Sequence, residues 1–185
     1  MDNGARSYRR YLDGDDKGLS EIGGEYKDGL ILYLNQFVNN LCIAEELTED
    51  TFFRLITKKP KLSGKSSFRS WLYAIGRNVA VDHIRHNSKI MDTPIEEMDN
   101  YLSDGKSLEQ AYITEESKRT LHSALAKLPP DYRRVLWLVY FEDFSNREVA
   151  VVMKKNDRQI KNLLYRAKKS LKAELDTEGF IYENL

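Results

Sequence analysis

The side chains of this sequence that could do chemistry are mainly ones that bind phosphate. From Lys154 to Lys172 the chain carries eight lysines and arginines against one acid, Asp157. A cluster of this kind neutralises the phosphates of a nucleic acid. Helical spacing sorts the segment into an apolar stripe and an opposite polar face, whose members are Arg158, Lys161, Asn162, Tyr165, Lys168 and Lys172. The sequence therefore predicts a helix that packs with one side and is free to contact DNA with the other.

A second helix start lies just upstream of this basic segment. Ser145 and Glu148 form the pattern of a capping box, and Asn156 with Gln159 repeats a similar helix start eleven residues later. Two helices joined by such a short turn are typical of a helix-turn-helix. Its inner contacts would be made by Val149, Ala150, Met153 and Ile160. The turn itself would hold Lys154 and Lys155, where such motifs commonly carry glycine, and the alternative is a solvated basic helix in an ordinary bundle.

Another basic segment, at 58–78, reads KKPKLSGKSSFRSWLYAIGRN. Its Gly-Lys-Ser is not a nucleotide phosphate loop, because that motif needs a glycine five residues before Gly64, where Lys59 stands. What remains is a basic loop with small hydroxyl residues that leads into an apolar helix. The loop, together with Arg69, Arg77 and Asn78, could cradle a single strand through phosphate contacts and hydrogen bonds to an unstacked base.

Upstream of this loop, the helical segment AEELTEDTFFRLI carries acidic side chains on one side. These are Glu45, Glu46, Glu49 and Asp50, and Phe53 projects among them. Such a face is either simply solvated or a docking surface for a basic protein partner.

Other chemistries find little support in the sequence. His83 and His86 have a spacing that could hold a metal, but Asp82 is the only close carboxylate and no cysteine lies near. No nucleophile, base and orienting group form a set, so we predict neither an enzyme nor a cofactor. The single cysteine, Cys42, cannot form an intramolecular disulfide and indicates a reducing compartment.

Localisation follows from the apolar segments. The longest strongly apolar run, VLWLVYF, is far shorter than the roughly 20 residues that span a bilayer. The N-terminus MDNGARSYRR also lacks an apolar signal core. We therefore expect no membrane insertion and a cytoplasmic protein.

The elements that position these segments are predicted to be helices throughout. The chain has 185 residues, of which 41% are hydrophobic, and apolar residues recur at spacings of three and four almost everywhere. This pattern predicts helices at about 20–42, 44–57, 67–87, 115–127, 131–141, 146–153 and 157–175.

An acidic segment divides the predicted helices into two groups. The 29 basic and 29 acidic residues cancel overall, but 88–116 holds eight acids against two lysines. We predict an all-α protein of two small helical domains joined by a flexible acidic linker. The predicted divisions are an N-terminal extension (1–21), a first domain (22–87), the linker (88–113), a helix-turn-helix domain (114–176) and a C-terminal tail (177–185).

Three ordered motifs together resemble a known family. These are AEELTEDTFFRLI, FRSWLYAIGRNVAVDHIR and LPPDYRRVLWLVYFEDFSNREVA, followed by the basic helix. In this order they resemble the sigma-70 family of bacterial RNA polymerase sigma factors, in its compact extracytoplasmic function (ECF) subgroup with only regions two and four. The resemblance covers about 22–87 and 117–175.

The resemblance implies a sigma factor that binds core polymerase, directs it to promoters and initiates transcription. Region two would recognise and melt the −10 element, and region four would read the −35 element as duplex. The implied partners are the clamp helices of the largest polymerase subunit, the flap region, promoter DNA and an anti-sigma factor. The alternatives are a free-standing helix-turn-helix transcriptional regulator and a helical protein-interaction adaptor.

The family's functional positions can be carried over to this sequence. Docking on core polymerase is implied for Glu46, Glu49, Asp50 and Phe53, with Glu49 in place of a frequent glutamine. Binding of the −10 strand is implied for Lys61, Leu62, Ser63, Gly64, Lys65, Ser66, Ser67, Arg77 and Asn78. Binding of the −35 duplex is implied for Arg158, Gln159, Lys161, Asn162, Tyr165 and Arg166, and Leu163 replaces a common arginine.

Overall fold

The computed structural model describes residues 2–62, 64, 66–91 and 116–177, and these residues form helices and connecting turns without a strand. In chain order the described helices are α1 (Asn3–Leu12), α2 (Lys17–Val38), α3 (Leu41–Lys58), α4 (Phe68–Met91), α5 (Glu116–Ala126), α6 (Pro130–Tyr140), α7 (Asn146–Met153) and α8 (Asp157–Thr177). The all-α prediction is confirmed. We call α1–α4 the N-terminal unit and α5–α8 the C-terminal unit.

A tight turn of two asparagines sets the direction of α3. Asn39 ends α2 in the left-handed conformation with φ 46°, which asparagine tolerates better than most residues. Asn40 then caps α3, because its side chain accepts a hydrogen bond from the Ile43 N–H at 3.2 Å. The buried side of α3 includes Leu47 and Leu55, so the acidic side of the same helix is left facing solvent.

The N-terminal extension is a helix that our periodicity analysis did not predict. Asp2 caps α1, and Ala5, Tyr8 and Tyr11 are buried on its inner side. This helix packs against α2 and α4. The segment is therefore a structural part of the N-terminal unit.

Local signals set the start of the C-terminal helices. Pro130 occupies the first position of α6, where its missing N–H would have no helical partner in any case. The capping box predicted at Ser145 and Glu148 is present and begins α7. Both helix starts are therefore set by residues that can be recognised without tertiary information.

The helix-turn-helix forms without a glycine in its turn. Lys154 adopts the left-handed conformation at φ 53°, which costs about 1 kcal/mol or more for a residue other than glycine. The Lys155 N–H closes the turn on the Ala150 carbonyl at 3.0 Å. Of the predicted inner residues, Val149, Met153 and Ile160 are buried and Ala150 is half-buried against the core, so packing between α7 and α8 offsets the strained turn.

The linker prediction falls largely on undescribed residues. Helix α4 continues to Met91, beyond the predicted end at 87, and α8 ends at Thr177. The remainder of the predicted acidic linker, 92–113, and the tail after Thr177 lie outside the described residues.

The two units pack against each other. Helix α4 contacts α7, α2 contacts α6, and most buried apolar side chains of both units belong to one continuous cluster. This packing places the N-terminal end of α4, and with it the end of the basic loop, beside the turn that connects α6 to α7.

Candidate functional site

The face of α8 that was predicted to bind the −35 duplex is exposed to solvent. All the residues predicted for −35 binding are exposed, and they form the basic face of α8: Arg158, Gln159, Lys161, Asn162, Tyr165 and Arg166. Tyr165 is 71% exposed, a large value for an aromatic side chain that has no partner to cover it within the described residues. On the opposite side, Ile160 and Ala167 are fully buried. Core packing therefore fixes which face α8 presents.

Two members of the basic face already have polar neighbours. Lys161 pairs with Asp157 at 2.9 Å, but both side chains are well exposed and such a pair contributes little to stability. The Gln159 side chain accepts the Asn156 N–H and the Asn156 side chain accepts the Gln159 N–H, both at 2.8 Å. Asn156 thus caps α8 and Gln159 bonds back to it as in a capping box, while the NH2 group of the Gln159 amide remains at the surface.

The acidic face of α3 consists of Glu46, Glu49, Asp50 and Phe53; Glu46 lies three and four residues before Glu49 and Asp50, and Phe53 lies four and three residues after them. All four are exposed, and Phe53 is 63% exposed. Within the described residues, the three carboxylates make no ion pair with a basic side chain. An exposed aromatic ring among unpaired carboxylates suits contact with a basic protein surface.

The residues predicted to bind the −10 strand are only partly gathered. Lys61 and Gly64 are exposed, Leu62, Ser66 and Ser67 are half-buried, and Ser63 and Lys65 lie outside the described residues. Arg77 and Asn78 are half-buried on α4. At a rise of 1.5 Å per residue, Asn78 lies about 16 Å along the helix from Ser67. The loop and Asn78 are therefore two separate candidate contact points for a strand, one before α4 and one along it.

A buried acid of the C-terminal unit is hydrogen-bonded to side chains in the first two turns of α4. Glu142, whose side chain is 8% exposed, accepts hydrogen bonds from Arg69 Nη2 at 2.5 Å and from the Tyr73 hydroxyl at 2.7 Å, both on Oε2. Burial, followed by the negative charge of Glu142, raises the pKa of Tyr73 above its usual range, so the phenol remains a donor. Gly29 makes room for the pair, because a Cβ there would lie 2.6 Å from the Tyr73 hydroxyl.

A second acid of the C-terminal unit binds the loop end. The Ser67 hydroxyl donates to Glu148 Oε1 at 2.7 Å, while Glu148 Oε2 accepts the Ser145 N–H at 3.0 Å in the capping box. Burial alone would raise the pKa of Glu148, but the hydrogen bonds from Ser67 and Ser145 outweigh it and hold that pKa below its usual value. We call the bonds of Ser67, Arg69 and Tyr73 to Glu142 and Glu148 the interunit contact.

Sequence reasoning missed this contact, although part of it was visible. The capping box pointed to Ser145 as one partner of Glu148, but no local pattern indicated that its second oxygen would bind Ser67. For Glu142 there was no signal, since it stands in a turn and its partners are on another helix.

Two arginines of α6 hold the other side of the interface. Arg133 Nη2 donates to the Gln36 carbonyl at 3.0 Å, and the Arg134 guanidinium lies 3.9 Å from the centre of the Phe37 ring. The second distance is well within the range of a cation–π contact. These contacts fix α6 at the C-terminal end of α2.

The two histidines of α4 bear on a metal site, and the lengths of the apolar helices bear on a membrane span. His83 Nε2 is hydrogen-bonded to the Asn87 amide at 2.9 Å, and no group of three potential ligands is close enough to hold an ion there. Among the same residues, no helix is both long enough and apolar enough to cross a bilayer.

Comparison with known proteins gives consistent results for both units. The family model described as Sigma-70 region 2 matches residues 24–90, and that described as Sigma-70, region 4 matches residues 118–171. RNA polymerase sigma factor SigV of Bacillus subtilis is 30% identical over 144 residues, which cover 77% of this chain and 81% of SigV. ECF RNA polymerase sigma factor SigC of Mycobacterium tuberculosis is 30% identical over 142 residues, covering 77% and 75% of the two chains.

Two solved structures share the fold. The sigma factor RpoE of Bartonella quintana, in complex with the anti-sigma factor NepR, has a TM-score of 0.71 at 20% identity and covers 86% of this chain and 98% of its own. CnrH, in complex with the cytosolic domain of CnrY, has a TM-score of 0.66 at 19% identity and covers 95% and 96%. At these identities the likeness concerns the fold alone.

Proposed function

The chain belongs to the ECF subgroup of the sigma-70 family of RNA polymerase sigma factors, and from this premise we propose which of its surfaces bind polymerase and promoter DNA. Sigma factors are transcription initiation factors: they bind core polymerase and promoter DNA, and the polymerase carries out the chemistry. Both units match parts of one family, which disfavours a free-standing regulator. Its place of action is then the cytoplasm.

We assign −35 recognition to the basic face of α8. The observation that carries this assignment is that six polar and basic side chains are exposed together on a capped helix whose other side is buried in the core. A helix presented in this way can enter the major groove, where arginine, glutamine and asparagine read base edges and lysine contacts phosphates.

We assign docking on the clamp helices of the polymerase to the acidic face of α3. Its carboxylates are exposed and unpaired among the described residues, so their charge is available to basic groups across an interface. Pull-down of core polymerase by wild type and by the double variant Glu46→Lys, Asp50→Lys tests this assignment. Equal recovery by a folded double variant would contradict it, and a reversal of Glu25 and Asp28 on α2 serves as the matched control for net charge.

We assign the −10 strand to the loop 61–67 and to Arg77 and Asn78 of α4. In the present arrangement Ser67 and its neighbour Arg69 are bonded to acids of the C-terminal unit. The two promoter elements are about one and a half helical turns apart, or roughly 50 to 60 Å at about 34 Å per turn. The two units therefore have to separate before both can contact one promoter.

Transcription in vitro tests the whole proposal. Purified bacterial core polymerase and this chain are supplied with fragments of the source genome, and start sites are mapped. We expect specific transcripts whose upstream sequences share two elements. A chain carrying Arg158→Ala, Lys161→Ala and Arg166→Ala together is the control, and it should lose these transcripts while still binding core polymerase. Equal transcript patterns for both proteins would contradict the assignment of α8.

We also propose that an anti-sigma factor binds this chain. Support comes from the two solved structures of the same fold, in which RpoE is bound to the anti-sigma factor NepR and CnrH is bound to the cytosolic domain of CnrY. A tagged chain isolated from its native cells before and after stress should exchange a small protein partner for core polymerase. Isolation with core polymerase alone under every condition would contradict this proposal.

A further inference from the structure

Helix α1 lies outside the segment that matches the region 2 family model, which begins at residue 24. It nevertheless contacts both ends of the loop between α3 and α4, the loop to which we assign −10 strand binding. These contacts come from Asp2, Tyr8 and Tyr11.

At the far end of the loop, one carboxylate caps two helices. Asp2 Oδ1 accepts the Ala5 N–H at 3.0 Å in α1, and Asp2 Oδ2 accepts the Phe68 N–H at 2.6 Å at the first residue of α4. A cap of this kind is worth about 1 kcal/mol and fixes where the helix begins. Gly4 permits the close approach, because a Cβ there would lie 2.5 Å from the Phe68 ring.

At the near end of the loop, a buried phenol holds the backbone. The Tyr8 hydroxyl donates to the Pro60 carbonyl at 2.8 Å, and the side chain is completely buried. Its ring lies 5.5 Å from that of Phe68 and 5.4 Å from that of Trp71, so the same residue also packs on the start of α4. Lys59 Nζ lies 5.3 Å from the centre of the Tyr11 ring.

We propose that α1 is a positioning element for the single-strand loop, with Asp2 and Tyr8 holding its two ends in the form that receives the −10 strand. Neither residue needs to touch DNA. The physical reason is preorganisation: a loop that is already held loses less conformational freedom when a strand binds, so part of the binding free energy is not consumed by ordering. This inference rests on the proposed function of the loop.

Single-atom changes on α1 provide the test. Tyr8→Phe keeps the ring and removes only the hydroxyl that holds Pro60. Tyr11→Phe is the matched control, because it removes a hydroxyl on the same helix that makes no hydrogen bond within the described residues. In the holoenzyme, affinity for a premelted promoter fork should fall about fivefold for Tyr8→Phe and remain unchanged for Tyr11→Phe. Affinity for a −35 duplex should be the same for both.

A second variant repeats the test at the other end of the loop. Asp2→Ala removes both capping bonds, whereas Asp2→Asn retains one acceptor oxygen, so the loss of fork affinity should be larger for alanine. A purely structural role would lower the melting temperature without this separation of fork binding from duplex binding.

Hydrogen exchange of the loop in the free protein supplies a readout that does not depend on DNA. Faster exchange at 59–67 in Tyr8→Phe together with weaker fork binding supports the proposal. Unchanged exchange overturns it, even if Lys61→Ala and Asn78→Ala still weaken fork binding and so uphold the loop as the −10 site. A third outcome is faster exchange in Tyr8→Phe while fork binding is unchanged in Tyr8→Phe, Lys61→Ala and Asn78→Ala. That outcome overturns both the −10 assignment of the loop and the positioning role of α1.

Discussion

The two surfaces assigned to promoter DNA are in opposite states in the same molecule. The basic face of α8 is exposed along its whole length, whereas the start of α4 is bonded to Glu142 and Glu148. Arg69 and Ser67 thus donate hydrogen bonds to carboxylate oxygens, although the same donors are suited to the phosphates of a strand. Under these assignments, −35 contact requires no rearrangement, whereas −10 contact through Ser67 and Arg69 requires the interunit contact to break.

The interunit contact adds polar bonds to an interface that also buries apolar side chains of both units. A hydrogen bond to a charged group contributes about 1.5 to 3 kcal/mol when it is well made. An open form is populated at roughly 0.1 to 10% if the total free energy of closure is a few kcal/mol. Core polymerase, to which we assign the acidic face of α3, shifts the population toward the open form if it binds that form more tightly.

The largest effect is expected from joining the two surfaces covalently. Ser67→Cys and Glu148→Cys, in a Cys42→Ser background that removes the only native thiol, place two thiols at the interunit contact. The oxidised or bis-maleimide-linked protein should lose transcription almost completely, and the disulfide form should recover it when reduced. Run-off transcription with each single-cysteine protein as control measures this. A linked protein that transcribes normally would show that closure does not cover the −10 surface.

The next largest effect is expected from releasing the contact. Glu142→Ala removes the acceptor of Arg69 and Tyr73, so the free protein should bind a −10 single strand about 10- to 100-fold more tightly. Glu142→Gln, which retains an acceptor oxygen but no charge, should lie between alanine and wild type. Fluorescence anisotropy with a −10 oligonucleotide measures the affinity. No gain in affinity from a folded alanine variant would argue against Glu142 as a competitor of the strand.

Local signals explain which parts of the molecule could be predicted. Helix α7 was predicted at 146–153 and lies at Asn146–Met153, because the Ser145 capping box acts within four residues. The acidic face of α3 and the basic face of α8 follow from helical spacing, which requires no tertiary information. Exposure of both faces was therefore foreseeable.

Distant pairs explain what could not be predicted. Glu142 and Arg69 are 73 residues apart in sequence, and Glu148 and Ser67 are 81 apart. Periodicity reports which face of a helix is apolar but not which other helix covers it. Helix α1 was missed for a related reason: Ala5 and Tyr8 have helical spacing, but Gly4 and three arginines weaken the pattern, and only contact with Phe68 and Pro60 gives the segment a fixed place.

A smaller effect is expected on the open surface. Lys161→Ala and Arg166→Ala should each lower −35 duplex affinity a few-fold, with a smaller salt dependence where a phosphate contact is lost and relaxed sequence preference where a base contact is lost. Because the basic face of α8 is exposed already, each substitution should lower −35 duplex affinity by the same factor in wild type and in the Glu142→Ala background. Salt titrations in both backgrounds measure this. Effects that differ strongly between the backgrounds would show that the −35 surface is also controlled by closure.

The smallest effect is expected from pH, and it follows from the pKa values of the contact itself. The pKa of Glu148 is held below its usual 4.5, so its contribution to closure is complete above that value and is lost only as the pH falls through the lowered pKa. The pKa of Tyr73 is raised above its usual 10.0, so the hydroxyl contributes fully below that value and is lost as the pH rises through the raised pKa.

Burial lowers the pKa of Arg69, but the combined interactions with Glu142 and Tyr73 outweigh burial and raise that pKa, so Arg69 remains charged over the same range. Between about pH 5.5 and 9 the distance between labels on the two units, measured by energy transfer, should therefore remain constant. Glu142→Ala provides the value for the open protein. A transition near neutral pH would mean that a group outside the interunit contact, with a histidine-like pKa, controls closure. Glu142 and Glu148 would then not be sufficient to explain why one DNA surface is covered and the other is open.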